Sequence, residues 1–177
     1  MLWRFLLILT LVIIPSKIQY DNVNQEPIKG IHILQLDQTG ENLIKGYEKL
    51  CLSTYFCPAG KPTIGWGHTG PDVHVGMTIT PTQAEADFLS DTQIAINAIN
   101  KFVKVPLTQG QFNALVSLVF NVGVGVLIKT TLINMLNAGN YVGAGQQFLR
   151  WDHIGNVESS GLENRRVAEL NLWKGNN

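Results

Sequence analysis

The stretch Tyr47–His68, YEKLCLSTYFCPAGKPTIGWGH, restricts the fold more than any other part of the chain, because it demands a helix end, two short extended pieces and a tight turn within 22 residues. In ENLIKGYEKL, Leu43, Ile44, Tyr47 and Leu50 recur at helical spacing, so Glu48 leaves a helix near its C-terminal end, where a cleft can begin. Pro58, Gly60 and Pro62 mark the turn. Beyond it Ile64 and Trp66 alternate with Gly65 and Gly67, which predicts a strand with one apolar face and an opposite face holding only Thr63 and two glycines. A face without side chains lets a flat polymer such as a glycan lie against the backbone, making Gly65, Trp66 and Gly67 candidate substrate contacts.

The flanks divide simply. Residues 1–17 begin with Arg4 and an apolar run from Phe5 to Ile14, well short of the roughly 20 residues that span a bilayer. They are expected to form a signal peptide, removed on export or kept as a signal-anchor. Residues 18–37 are polar and mixed and read as a spacer, although IHILQL within them has the look of a lone strand; 38–177 are expected to form the catalytic domain. HTGPDVHVGMTIT reads as loop. Thr80, Pro81 and Gln83 then supply a cap, a first-turn proline and a capping-box partner, so a long helix is expected to run to about Phe102. From Thr108 the pattern is helical, with Gly123, Gly125, Gly139 and Gly161 as expected stops and Phe112, Leu115, Leu118 and Val119 as core.

Thirteen basic and thirteen acidic residues balance to zero, so no nucleic acid or other polyanion is indicated as a partner. Two cysteines, Cys51 and Cys57, are too few for a disulfide scaffold, though an exported chain could pair them. His68, Asp72 and His74 have a metal-like spacing but lack the further ligand a zinc site requires. No metal and no organic cofactor are expected, and His68 reads as a structural, hydrogen-bonded residue at the hairpin end. Trp66 and Trp151 are core-type residues that can also stack on sugars.

The spacing Glu48, eight residues, Cys57, five residues, Thr63 resembles that of the phage-type lysozymes, or endolysins, of glycoside hydrolase family 24, in which the middle position is Asp or Cys. The resemblance continues through TIGWGHT, FNVGVG, TTLINMLNAGNY, Trp151 and GLENRR, over about 140 residues, the size of one domain. It implies an α+β, lysozyme-like fold, mainly helical, with a small β-hairpin lobe and a larger helical lobe joined by a long helix. It also implies a monomeric muramidase that hydrolyses the β-1,4 bond between N-acetylmuramic acid and N-acetylglucosamine in bacterial peptidoglycan. Such an enzyme acts in the periplasm or outside the cell, with transient membrane association through the N-terminal segment. Other readings are a lytic transglycosylase, a thiol hydrolase built on Cys57 and His68, and an inactive peptidoglycan-binding module.

Within that resemblance Glu48 is the general acid, since the leaving oxygen needs a proton as an oxocarbenium-like centre develops. Cys57 serves as nucleophile, as base for water or as a group positioning that water, and Thr63 positions the water or Cys57. An arginine from the late helix is expected to reach Glu48. Adjacent helical residues point about 100° apart, so only one of Arg165 and Arg166 can do so; the Asn164-Arg165 pairing favours Arg165. A neighbouring cation lowers a carboxylate pKa by about 1–3 units, which opposes the work of an acid. The competing reading of Arg165 is an exposed pair with Glu169.

Overall fold

The computed structural model describes residues 34–58, 60–128 and 130–175, all within one compact unit. The export segment expected over 1–17 and most of the spacer lie outside the described residues. The end of the spacer, however, already belongs to the folded body. Leu34 and Leu36 pack against the core, the Gln35 carbonyl accepts a 2.8 Å hydrogen bond from Gln109, and Asp37 accepts one of 2.7 Å from Asn113. These residues form no strand.

Asp37 also caps α1, Gln38–Glu48, by accepting from the Gly40 amide. The chain leaves α1 through Lys49 at φ 54°, a left-handed conformation that turns it sharply into β1, Cys51–Phe56. β1 pairs antiparallel with β2, Pro62–Gly65, with Cys51 opposite Gly65, Tyr55 opposite Thr63 and Phe56 opposite Pro62. The segment expected to be pure loop contributes a third edge: Thr54 donates to the Met77 carbonyl and Ile79 to that of Leu52, both at 3.0 Å.

The long helix α2 runs Pro81–Phe102, with Thr80 accepting from the Gln83 amide. Its capping box stays half made, because the Gln83 side chain turns to Asp87 at 2.8 Å instead of reaching back. The complete box lies on α3, Gln109–Val122, where Thr108 and Gln111 bond each other's backbone. α3 is buried continuously from Phe112 to Val119, because α1, α2 and α7 pack around it; even its Asn113 and Ser117 are enclosed and bonded.

Short elements follow: α4 Val124–Leu127, α5 Thr131–Asn137, α6 Tyr141–Gln146, a 3-10 turn at 147–150, and a small antiparallel pair, β3 His153–Ile154 with β4 Val157–Glu158. Helix α7, Ser160–Lys174, closes the body, with Phe148 and Trp173 rings 5.4 Å apart beneath it. Gly123 and Gly139 end helices at positive φ. Gly125 and Gly161 do not, since one sits inside α4 and the other in the first turn of α7. The architecture is α+β and mainly helical, with α2 running from beside β2 onto α3.

Candidate active site

Glu48 is the last residue of α1, and its carboxylate meets Arg165 of α7 at 2.5 Å between Oε1 and Nη1. Register explains why Arg165 and not Arg166 arrives there. The Tyr47 hydroxyl donates to the Asn164 carbonyl at 3.0 Å, and the Arg165 guanidinium lies 5.7 Å from the Tyr47 ring centroid, within cation–π reach. Arg165 is 3% exposed. Besides Glu48 it reaches Glu169 through Nε at 3.3 Å and the Ser117 carbonyl through Nη2 at 3.3 Å.

The pair read from sequence as exposed is therefore the interior end of a network. Glu169 is wholly buried, and its Oε1 accepts from Ser117 at 2.6 Å, Arg166 Nη2 at 2.9 Å and Arg165 Nε at 3.3 Å. Burial pushes the Glu169 carboxyl above the usual carboxylate range against the pull of both arginines, and pushes the Arg166 guanidinium below its own. Arg166 Nε lies 2.9 Å from Glu169 Oε2, yet those two atoms are not aligned as a hydrogen bond and Nη1 has no partner either. Ser117 was missed by sequence reasoning, and Glu169 entered it only as the partner in an exposed pair. The detectable signal was Glu169 lying four residues after Arg165 and three after Arg166.

On the hairpin, Thr63 is 2% exposed and its hydroxyl donates to the Lys61 carbonyl at 3.0 Å. The Cys57 amide donates to that same carbonyl at 3.0 Å, so the turn holds the two residues through one acceptor. Thr63 thus stands inside the hairpin rather than at the rim of an open face. Between the helix end and the turn lies Tyr55, whose phenol is pushed up by burial and by its electrostatic interaction with Cys51, Glu48 and Cys57. Cys51 and Cys57 form no disulfide. Six residues of extended chain separate them by roughly 20 Å, against a limit of about 7 Å for a bridge.

The two glycines have different surroundings. A side chain at Gly67 would meet Glu48 Oε2 at 2.7 Å, so this position is bare because the carboxylate occupies the space. Gly65, in contrast, is covered by Ala84 of α2 and by Ile79, each 3.4 Å from where a Cβ would stand. The open glycine face expected from sequence is closed at Gly65, leaving it no surface for a ligand. Trp66 packs on the core with the Lys45 ammonium 5.7 Å from its ring centroid. His68 closes the turn by pairing its backbone with Ile64. Its Nδ1 bonds Asp91 of α2 at 2.8 Å and its Nε2 bonds Asp72 at 3.2 Å. Burial pulls the imidazole pKa down, but the bonds to Asp91 and Asp72 outweigh it, and the net direction is up. Both ring nitrogens are taken, and the described residues contain no group of three or more His, Cys, Asp or Glu placed to hold a metal. From Gly67 and Thr69 a groove of about 180 Å³ passes Asp91 and Ala95 to Phe120 and Gly123 at the end of α3.

A helical body, a hairpin leaning on its long helix and a carboxylate–arginine pair beside a groove together define the lysozyme-like class of α+β proteins. Within it this chain belongs to the phage lysozyme family, whose family model matches residues 45–169. It is 42% identical over 142 residues to an endolysin of Bacillus phage B103, covering 79% of this chain and 54% of the relative. The chain thus spans about half the length of that relative. Among solved structures, an endolysin from Escherichia coli O157:H7 phage FAHEc1 is similar at 40% identity and a TM-score of 0.72, covering 79% of this chain and 93% of that one. The muramidase domain of SpmX from Asticaccaulis excentricus is similar at 31% identity and the same TM-score, covering 79% and 97%.

Proposed function

We propose that the chain is a muramidase hydrolysing the β-1,4 bond between N-acetylmuramic acid and N-acetylglucosamine in bacterial peptidoglycan, working as a monomer outside the inner membrane after export through its N-terminal segment. The observation that carries this reading is Glu48. It ends a helix, has its position fixed by Arg165, and sets its second oxygen against Gly67, a glycine that lines the groove. Glu48 protonates the leaving oxygen. Cys57 handles the attacking water or the glycosyl centre, and Thr63 holds Cys57 in place through the Lys61 carbonyl they share. Arg165 and His68 support the arrangement, the first at the acid and the second at the hairpin turn. Gly67 gives the sugar access to the acid.

The test is digestion of purified peptidoglycan followed by mass analysis of the released muropeptides. Hydrolysis adds one water per bond cut, and the expected products carry it; anhydro sugars would overturn the reading in favour of a transglycosylase. Glu48→Gln keeps the shape but cannot deliver a proton, so its rate is expected to fall by about 10²–10⁴. A folded Glu48→Gln protein with more than half of the wild-type rate would remove Glu48 from the role.

A further inference from the structure

An acid that must hold its proton stands against a buried guanidinium, and the structure shows what offsets that guanidinium. Resting on the reading of Glu48 as general acid, we propose that Glu169 is a positioning residue for its proton: it neutralises the buried arginine pair so that Glu48 can be protonated when substrate binds.

The geometry is a row of alternating charges, Glu48, Arg165, Glu169 and Arg166, with the last three 3% exposed or less. Two cations face two anions, so with every group ionised the row is neutral. Arg165 divides its donors, Nη1 reaching Glu48, Nε reaching Glu169 and Nη2 reaching Ser117. The donors are unequally shared between the carboxylates. Glu169 Oε1 accepts from three groups, whereas Glu48 is given one, from Arg165, and its side chain retains 17% exposure. Burial raises the Glu169 carboxyl, and both arginines and the Ser117 hydroxyl oppose that rise; in the proposed arrangement Glu169 faces the arginines as the ionised partner and Glu48, the more exposed of the two, exchanges the proton. Removing the Glu169 charge leaves Glu48 alone opposite two cations in a medium that screens little, and Glu48 then releases its proton more readily. Arg166 hydrogen-bonds Glu169, and its charge also acts on Glu48 directly.

The remaining charged or titratable groups around these carboxylates are few. α1 presents Tyr47 beneath Arg165, and β1 presents Tyr55 with Cys51 and Cys57 beside it. α3 presents Ser117, which is neutral. All of these are common to the variants compared below, so differences between variants report on the row alone.

The experiment is the pH profile of peptidoglycan lysis, read at its alkaline limb, where the general acid loses its proton, with folding checked by circular dichroism. Glu169→Gln is expected to move the limb down by about one pH unit, a roughly tenfold loss of rate above the limb with much less change below it. Arg166→Gln, which leaves one cation between two anions, should move it up. The double variant Glu169→Gln/Arg166→Gln restores neutrality and should return the limb to near its wild-type position. Damage to structure lowers the rate at every pH and does not reverse sign between partners. A folded Glu169→Gln protein with an unmoved limb, or a double variant that stays displaced, overturns the proposal. Should Glu169→Gln fail to fold, carboxyl-carbon NMR of the wild-type protein decides: Glu169 is expected to be ionised throughout the alkaline limb while Glu48 titrates there, and a protonated Glu169 in that range overturns it. Failure of the underlying reading shows separately, as retained lysis in Glu48→Gln, whereas an inactive Glu48→Gln with an unmoved limb in Glu169→Gln sinks the positioning role alone.

Discussion

At the residue scale the site depends on side chains that cannot be exchanged for near relatives. Arg165 satisfies two carboxylates and a backbone carbonyl from a position that is almost wholly buried. Arg165→Ala strands both anions, and breaking a buried pair this way costs about 3–5 kcal/mol; urea denaturation should show that loss together with loss of lysis. Gly67 is as restrictive in the opposite sense. At φ 90° and against the Glu48 carboxylate, a methyl group brings strain of order 1–3 kcal/mol and displaces the acid. Gly67→Ala is expected to lose lysis at least tenfold while melting only a few degrees lower, and an active Gly67→Ala protein would show that Glu48 tolerates movement. Helical geometry allowed only one of Arg165 and Arg166 to face the cleft, and it was the resemblance, through the Asn164-Arg165 pairing, that pointed to Arg165. The role of Glu169 was not legible, since an i,i+4 pair reads as a solvated surface bridge until α3 is seen to cover it.

Among the elements, α2 and the hairpin turn are joined by His68, which is bonded to Asp91 on the helix and Asp72 in the turn. A histidine whose folded pKa is raised contributes stability that is fully present below its unfolded value, about 6.5, and is lost as pH rises through the folded value. The urea midpoint should therefore fall as pH rises above about 6.5, and His68→Gln should flatten that slope. The two partners of the histidine shift in opposite senses, Asp91 held up by its burial and the exposed Asp72 held down by its bond to His68. The capping box of α3 gives a second check, since Thr108→Ala should cost about 1 kcal/mol. Boundaries followed local chemistry wherever a side chain could make only one bond, as Thr80 does at the start of α2. They were misread where a longer side chain had a choice. Gln83 prefers Asp87 one turn on, and Gly161 is accommodated in the first turn of α7, which Ser159 caps.

For the molecule as a whole, the hairpin holds Cys51 at the start of β1 and Cys57 one residue past its end, which removes the redox switch that a pair of cysteines invites. Lysis by the folded protein should be equal with and without reductant, and two thiols should titrate under non-reducing denaturation; a single intact Cys51–Cys57 bridge would mean that β1 is not formed as described. Sequence motifs located the hairpin and Glu48, but not the covering of Gly65 by α2, because closeness between a strand and a helix that follows it is a tertiary fact with no local signature. The bond between Glu48 and Arg165 spans 117 residues, and that separation has a meaning in time. At synthesis rates of about 5–20 residues per second, roughly 6–23 s pass between the making of the acid and the making of the arginine that holds it. Until α7 emerges and docks, the nascent chain has its hairpin and Glu48 but not the arginine that holds Glu48, so the proposed site is assembled only once α7 has been made.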